Sequence, residues 1–400
     1  MEYTYLTQLN IVNTRDLHHI TVPISDQARK HLILTGKNGC GKTSVLEDIA
    51  KFLKYLVSDE YHDNDSPAAI AKLKDALRKA EGGERMQLHR QIRDLEMDTR
   101  RCWSDGCVLT VNDPQELRRK YMTGEFLLAY CRDDRRLNVD ICTNPAATET
   151  KQVYPIDENP AQQIAKHLAY LEFQQAFAPK TKKSAIGVWR DKLQKALAYI
   201  YGDKKLKLKF NERELRHYIE LSDKRIIPLE HMSMGYTAVF DIVGNLMMRM
   251  ASRNNFDMEG IVLIDEVETH LHVSLQREIM PILTELFPNV QFILTSHSPF
   301  VLISTADAVV YDLERDKRIE DEQTWLSYEG IVDGYFETDR LSQRLRDKLE
   351  EYKGELKKAK PDEDRIDQLE AELDKIPETL ALDFVTEYCQ LKVDRDRSAT

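Results

Sequence analysis

The run GKNGCGKTS at positions 36–44 constrains the fold of this chain more than any other part of its 400-residue sequence. The spacing G-x-x-x-x-G-K-[ST] turns consecutive backbone N–H groups toward a triphosphate, while the Lys reaches the outer phosphates and the Thr hydroxyl reaches Mg²⁺. A strand-like segment, HLILTG, precedes the run, and a helix-like segment, TSVLEDIAKFLKYL, follows it. The sequence therefore predicts an α/β domain that binds a nucleotide, and leaves open what the domain does with it.

Charge and composition limit the remaining function classes. Apolar residues make up 42% of the chain, and the net charge of −11 excludes a protein that coats nucleic acid through bulk positive charge. Any contact with DNA or RNA must therefore be local. The six cysteines form no C-x-x-C pair, which favours free thiols in a reducing compartment. Since no signal peptide or membrane span is evident, we expect a cytoplasmic protein without a membrane segment.

Strand-like and helix-like segments alternate along the chain, which is typical of an α/β architecture. Two predicted helical hairpins depart from this alternation. One lies at about 66–101 and turns at Gly82 and Gly83, and the other lies near the end of the chain and breaks at Pro361. Each hairpin is either a charged, solvated pair of helices packed on the domain or a docking arm for another subunit. Spacing alone does not separate these alternatives.

The segment GIVLIDE predicts a buried strand that ends in two acids, Asp265 and Glu266. Beside a phosphate-binding loop, an Asp in this position helps to hold Mg²⁺, and the adjacent Glu can polarise an attacking water. The alternative is a strand that happens to end in two solvated acids. The second acid favours hydrolysis over transfer to an organic acceptor, because water needs a base to orient and activate it.

Another buried strand, in VQFILTSHSPF, leads to His297. A lone His at a strand end is usually structural or simply exposed. This one follows Asp265 by 32 residues and lies beyond a helix, which is the right separation for a neighbouring parallel strand. We therefore expect His297 to reach the same phosphates.

A third feature, Ser233-x-Gly235, stands at the start of a long apolar helix in LEHMSMGYTAVFDIVGNLMMRM. A hydroxyl, a Gly amide and a helix N-terminus together form an anion site. Taken alone, S-x-G also fits an ordinary helix cap at Ser233. Its place in the order of the motifs, after the glycine loop and before the acidic strand end and the His, favours the anion site.

This order of motifs resembles that of the ATP-binding-cassette (ABC) ATPases, and within them the RecF-like, SMC-like and overcoming-lysogenisation-defect-like branch. The resemblance covers most of residues 1–315. It implies an ABC-type ATPase core, with a P-loop and a mixed sheet with helices, that carries an inserted hairpin and a C-terminal helical region at 316–400. It also implies ATP and Mg²⁺ as cofactors, and a dimer in which the signature of one subunit caps the ATP on the other.

The same resemblance implies a role for each motif residue. The glycine loop matches the Walker A motif in its G-x-N-G-x-G-K-[ST] form, the acidic strand end matches Walker B, and S-x-G matches the signature. An Arg in the opening segment LNIVNTRDL would approach the nucleotide. The implied residues are Gly36, Asn38, Gly39, Cys40, Gly41, Lys42, Thr43, Ser44 and Arg15 for ATP binding, Thr43 and Asp265 for Mg²⁺, Ser233 and Gly235 for the signature in trans, and Glu266 and His297 for catalysis.

The sequence departs from the family pattern in several places. Met and Tyr residues flank the signature where transporter ATPases have L-S-G-G-Q, so only the hydroxyl and the Gly match. The acidic D-loop residue is absent, and DEVETHLHVSLQ instead resembles the D-E-x-E-x-H-L-H-P-x-x-Q run of the lysogenisation-defect-like ATPases, with Val273 in place of Pro. Gln174 and Gln175 are candidates for the Q-loop glutamine.

The segment after His297 carries neither a Toprim nor an HNH nuclease signature. The chain therefore resembles the stand-alone PtuA-type ATPase subunits of antiphage defence systems, which work with an HNH nuclease, and their relatives that partner a Toprim-type effector. This resemblance implies a homodimer or higher homo-oligomer that controls a separate nuclease encoded by a neighbouring gene.

A RecF-like repair ATPase that binds DNA directly is the alternative. Its DNA-binding surface would consist of the basic face of KKLKLKF together with Arg118, Arg119 and Lys120. The alternating lysines of KKLKLKF fit either a solvated sheet edge or a track for phosphates. The acidic net charge favours the regulatory ATPase over the DNA clamp.

Overall fold

The computed structural model describes residues 3–61, 73, 76–77, 80, 85–90, 92–93, 105–135, 137, 139–142, 150–177, 185–253, 255–319, 343–358, 362–374, 388–392 and 395. Contacts within the chain divide it into two units, Met1–Trp325 and Leu326–Thr400. Most of the predicted hairpin at 66–101 lies outside the described residues. The predicted domain limits remain predictions.

The described elements confirm the predicted α/β architecture. The strands are β1 (Leu6–Thr14), β2 (Leu17–Pro23), β3 (His31–Thr35), β4 (Gly106–Val111), β5 (Phe126–Cys131), β6 (Lys207–Asn211), β7 (Arg216–Glu220), β8 (Ile226–Pro228), β9 (Glu259–Ile264), β10 (Val290–Thr295), β11 (Ala308–Asp312) and β12 (Lys317–Ile319). The helices are α1 (Lys42–Leu56), α2 (Pro114–Met122), α3 (Ile164–Phe177), α4 (Ala185–Tyr201), α5 (Met234–Met250), α6 (Val273–Leu286), α7 (Pro299–Leu302), α8 (Gln343–Leu356) and α9 (Glu363–Leu373).

A six-stranded sheet of order β12-β11-β3-β10-β9-β5 forms the centre of the first unit. The pairs β11–β3, β3–β10, β10–β9 and β9–β5 are parallel, and only the edge pair β11–β12 is antiparallel. Strands β3 and β10 are buried along their whole length, as expected for apolar strands inside a parallel sheet. Because β3, β10 and β9 are neighbours, their carboxyl ends meet at one edge of the sheet.

Helix α1 packs between this sheet and a second, antiparallel sheet of order β2-β1-β4. Its buried side chains Val45, Ile49 and Leu53 join one apolar core with Leu9 of β1 and Leu263 of β9. Burying an aliphatic side chain of this size contributes about 1.5–3 kcal/mol. The core therefore fixes the start of α1, and with it the glycine loop, against both sheets.

Helix α5 is buried along most of its length. Near its end, Arg249 donates to the backbone oxygens of Leu128 at 2.7 Å and Pro155 at 2.9 Å. Burial lowers the pKa of this guanidinium to about 10. The arginine ties the helix to β5, and the fixed helix gives its first residues, at Ser233 and beyond, a defined position.

A third sheet, of order β6-β7-β8, is antiparallel. Strand β6 has the predicted alternation, since Leu208 is buried while Lys207 and Lys209 are exposed. Lys209 forms an ion pair with Glu220 of the neighbouring strand β7. The basic face of this strand is therefore partly neutralised within the chain.

In the second unit, helices α8 and α9 share a small apolar cluster that includes Leu349, Tyr352, Leu369 and Leu373. The Tyr352 hydroxyl also donates to Glu370 Oε1 at 2.6 Å. This arrangement agrees with the hairpin that the sequence predicts on either side of Pro361. None of the helices in the described part of the chain is long and apolar enough to cross a membrane.

Candidate nucleotide-binding site

The loop between β3 and α1 depends on its glycines. Gly36, Gly39 and Gly41 have φ values of 138°, 87° and 100°, which side chains rarely adopt. A Cβ added at Gly36 would lie 2.8 Å from Cys40 Sγ, and one added at Gly41 would lie 3.3 Å from Leu17 Cδ1. The backbone angles therefore favour glycine in this loop, as the motif predicts, and a Cβ at Gly36 or Gly41 would in addition require the side chain of Cys40 or Leu17 to shift.

The start of α1 supplies positive charge and hydrogen-bond donors. The ammonium of Lys42 is held against the loop, where it donates to the backbone oxygens of Gly36 at 2.8 Å and Lys37 at 3.0 Å. No acidic residue occupies the first turn of α1, so the helix dipole there favours an anion. Thr43 is exposed and Ser44 is half-buried in the same turn. Ammonium, hydroxyl and helix N-terminus together fit a polyphosphate.

The two acids after β9 are positioned by a hydroxyl from β10. Thr295 Oγ1 donates to Asp265 Oδ1 at 2.6 Å and accepts from the backbone N–H of Glu266 at 2.7 Å. Asp265 is only 1% exposed, and Glu266 has a φ of 40°. Strands β3 and β9 flank β10, so the acids lie about 10 Å across the sheet from the loop. Carboxylate and hydroxyl oxygens, here Asp265 and Thr43, are ligands that suit Mg²⁺.

Arg135 holds the same acidic segment from the other side, and the sequence analysis missed it. It donates to the backbone oxygen of Asp265 and to that of Glu266, each at 2.7 Å. Its side chain is buried, and burial lowers the pKa of the guanidinium. The sequence feature that could have pointed to Arg135 is the charged run CRDDRR at the end of β5, which is the strand beside β9.

His297 is held by Glu268, a second residue to which the sequence analysis gave no role. Glu268 Oε1 accepts from the backbone N–H of His297 at 2.7 Å and lies 2.8 Å from its Nδ1. This hydrogen bond raises the pKa of His297 above its ordinary 6.5. Burial acts to raise the pKa of Glu268, but the bonds from His297 outweigh it and hold that pKa below 4.5. The signal was the second Glu of the D-E-x-E run.

The predicted signature lies at the start of α5. Ser233 is the N-cap residue and makes no side-chain cap hydrogen bond, and the next residue, Met234, is 63% exposed. A Cβ added at Gly235 would lie 2.9 Å from the backbone oxygen of His270. The signature therefore packs, backbone against backbone, on the segment 266–272 that follows the acidic strand end.

Sequence comparison relates parts of this chain to known proteins. A family model described as "AAA domain, putative AbiEii toxin, Type IV TA system" matches residues 162–304, a range that includes the signature, both acids and His297. The Septu protein PtuA of Bacillus mycoides (strain KBAB4) is 44% identical to this chain over 92 residues. This chain has a P-loop, and parts of it are similar to these proteins. The alignment with PtuA spans 22% of the chain and 13% of that relative.

Other relatives match over segments of similar length. The Retron Ec83 probable ATPase of Escherichia coli is 40% identical over 86 residues, which is 20% of this chain and 16% of that protein. Among solved structures, the SMC head domain from Thermotoga maritima aligns with a TM-score of 0.37 and 12% identity, over 77% of this chain and 94% of that one.

Arg15, which the resemblance described above implies to be near the nucleotide, lies exposed in the turn between β1 and β2 with a φ of 52°. Leu17, two residues later, reaches Gly41 in the glycine loop. The turn therefore lies beside the loop, and the role of Arg15 remains a prediction. Within the loop, Asn38 is exposed, and burial raises the pKa of the Cys40 thiol, which favours its neutral form.

Gln174 and Gln175, the Q-loop candidates, lie exposed on α3. Gln174 contacts the hydroxyl of Tyr170 one turn earlier. Helix α3 packs against α4 and β7, whereas the loop that follows β5 beside the acidic strand end contains Arg135. The assignment of either glutamine to the Q-loop remains a prediction.

Proposed function

We propose that this chain binds and hydrolyses ATP as a regulatory subunit of a prokaryotic antiphage defence complex. The observation that supports hydrolysis best is the bridge that Thr295 forms between the Asp265 carboxylate and the Glu266 backbone. One hydroxyl thereby fixes the metal-binding acid relative to the acid that would polarise water. Phosphoryl transfer to water needs these two functions side by side.

Each group would act on a different part of the nucleotide. Lys42 and the N–H groups at the start of α1 would bind the phosphates, and Thr43 and Asp265 would hold Mg²⁺. Mg²⁺, when bound, would neutralise charge that develops on the phosphate oxygens. Glu266 would orient and polarise the attacking water, and His297 would contact the γ-phosphate.

The proposed defence role rests on the similarity to PtuA and the retron ATPase. By that analogy, the chain forms a homodimer or a higher homo-oligomer in the cytoplasm and controls an effector nuclease, of the HNH or the Toprim type, that a neighbouring gene encodes. Two subunits would meet head to tail, so that Ser233 and Gly235 of one close on the ATP of the other.

The basic side chains of the predicted DNA-binding surface have acidic partners within the chain. These ion pairs favour the regulatory role over direct binding to DNA. Arg118 pairs with Asp59 at 3.2 Å, and Lys120 pairs with Glu259 at 2.9 Å. The guanidinium of Arg119 is bound by Glu116 and Glu125. Lys209 is likewise paired on β6. These carboxylates would have to be displaced before a phosphate backbone could bind.

Two substitutions in the purified protein test the chemistry. We expect Glu266→Gln to bind ATP like the wild type but to lower turnover by at least about 100-fold, because the amide keeps the shape and loses the base. Lys42→Ala should instead weaken ATP binding itself. Glu278→Gln, a change to an exposed glutamate on α6, is the matched control and should leave both unchanged. Wild-type turnover by Glu266→Gln would remove Glu266 from the proposed role.

The regulatory part has its own test. Coexpressed with the product of a neighbouring nuclease gene, the chain should copurify with it. The isolated chain should not cleave plasmid DNA in the presence of ATP and Mg²⁺ or Mn²⁺. Nicking that a point mutation in this chain abolishes would contradict a separate effector.

A further inference from the structure

One carboxylate oxygen takes two hydrogen bonds from the same histidine. Glu268 Oε1 accepts from the backbone N–H of His297 at 2.7 Å and lies 2.8 Å from Nδ1 of its ring. An ionised carboxylate can only accept, so the ring must carry a proton on Nδ1. The ring is thereby fixed both in orientation and in the position of that proton, and Nε2 is the nitrogen that remains for another partner.

The carboxylate of Glu268 that binds His297 is buried. Glu268 is only 6% exposed, and its other oxygen, Oε2, is buried without a hydrogen-bond partner among the described residues. Among the described residues, His297 is the side chain that donates to this carboxylate. Removing the carboxylate would free the ring to turn and to carry its neutral proton on either nitrogen.

A second contact anchors the loop that carries the histidine. The hydroxyl of Ser298 donates to Gln276 Oε1 at 2.6 Å, and Gln276 Nε2 donates to the backbone oxygen of Leu271 at 2.9 Å. Glu268 and Gln276 belong to the same D-E-x-E-x-H-L-H-V-x-x-Q run. Two side chains of this run therefore fasten the His297 loop to the segment that follows the catalytic acids.

A neutral imidazole with its proton on Nδ1 has only an acceptor at Nε2, and it cannot donate to a phosphate. Donation from Nε2 requires the imidazolium. Three charged groups act on the protonation of the His297 ring. Glu268 and Glu266 favour the imidazolium, and Lys42 opposes it. Of these two acids, Glu268 is the one whose hydrogen bond to the ring is seen among the described residues.

We propose that Glu268 is a positioning residue that holds His297 as a cationic donor with Nε2 directed to the γ-phosphate. The orientation follows from the chain's own geometry, while the phosphate contact rests on the proposed ATPase function. Glu268 would itself touch neither the nucleotide nor the attacking water. Its loss should therefore reduce turnover far more than it reduces ATP binding.

The first test needs no ATP. Nitrogen-15 NMR of histidine-labelled protein, with the His297 signal assigned through His297→Asn, reports which ring nitrogen carries the proton. Wild-type His297 should hold its proton on Nδ1 when neutral and should titrate at a higher pH than in Glu268→Gln. In Glu268→Ala the neutral proton should move to Nε2, which free histidine prefers. The Nε2–H form in the wild type would overturn the positioning role, whatever the ATPase assay shows.

The second test separates orientation from charge. Glu268→Ala should lower kcat by about 100-fold with less than a threefold change in the dissociation constant for ATP. Glu268→Gln keeps an accepting oxygen without the charge, so its kcat should be about tenfold higher than that of Glu268→Ala. Glu278→Ala is the control and should match the wild type. Wild-type kcat in Glu268→Ala would overturn the proposal, whereas an inactive wild type with the expected NMR signals would count against the ATPase function alone.

Discussion

The two halves of the proposed ATP site differ in how completely the chain itself holds them. On the Walker side, Asp265 is bound by Thr295 and His297 by Glu268. On the signature side, Ser233 makes no cap hydrogen bond and lies exposed beside Met234. One half is organised by its own subunit, and the other presents a helix N-terminus to solvent.

This difference favours a site completed by a second copy of the chain. An exposed hydroxyl at the start of a long buried helix would favour a bound anion. The phosphates bound to the opposite subunit would supply that anion. A two-fold arrangement uses the same pair of surfaces twice. Substitutions in the organised half and in the open half should therefore differ in how strongly they affect ATPase activity.

The largest effect is expected at the open half. Ser233→Arg would put a bulky side chain where the opposite subunit's phosphate should lie, so ATPase activity should be lost while nucleotide binding to a single subunit survives. Lys42→Ala should be inactive as well. In a mixture, heterodimers keep one site with neither change, and about a quarter of the wild-type activity should return. An inactive mixture, with subunit exchange demonstrated, would contradict a site shared between subunits.

A smaller effect is expected where Arg135 holds the backbone of the acidic segment. Arg135→Met removes the side-chain donor to the buried backbone oxygen of Asp265 and one of two donors to that of Glu266, which also accepts from the N–H of Thr269. The change should cost about 1–3 kcal/mol in the free energy of unfolding and lower kcat by up to about 100-fold. Urea unfolding and steady-state turnover measure the two. Nucleotide affinity should change little, and a variant affected only in affinity would count against this role.

Thr295→Val tests the side chain that joins the two acids. The substitution keeps the shape of the residue and removes the hydrogen bonds to Asp265 and to the Glu266 backbone, so stability should fall by about 1–2 kcal/mol and kcat by roughly tenfold. Thr295→Ser restores the hydroxyl and should recover most of the turnover. If serine behaved like valine, packing rather than hydrogen bonding would explain the effect.

The smallest effect concerns pH. The pKa of His297 is raised above 6.5, so its stabilisation is fully present below 6.5 and is lost as pH rises through the raised value. The pKa of Glu268 is held below 4.5, so its contribution is present above 4.5 and is lost as pH falls through the lowered value.

The pair should therefore stabilise the fold most between about pH 4.5 and 6.5, by less than about 1 kcal/mol because half of the His297 side chain is exposed. His297→Asn should narrow the difference in unfolding free energy between pH 6 and pH 9. An equal difference in both proteins would show that the pair makes no such contribution.

The sequence predicted the elements whose signals are local. The three glycine positions follow from backbone angles that other residues rarely adopt, and the strand before Asp265 follows from an uninterrupted apolar run. The α/β class was recoverable for the same reason, because apolar periodicity and turn residues are read within a few positions of one another.

What the sequence determined by itself was therefore the identity of the motifs and their order along the chain. Only the tertiary structure revealed the partners of those motifs: Arg135 lies 130 residues from Asp265, and Thr295 lies 30 residues from it. Glu268 was visible in its run, but its purpose depends on the neighbouring strand β10 that brings His297 to it. Hydrogen bonds between distant segments leave no periodicity in a sequence, since the fold alone brings their donors and acceptors together.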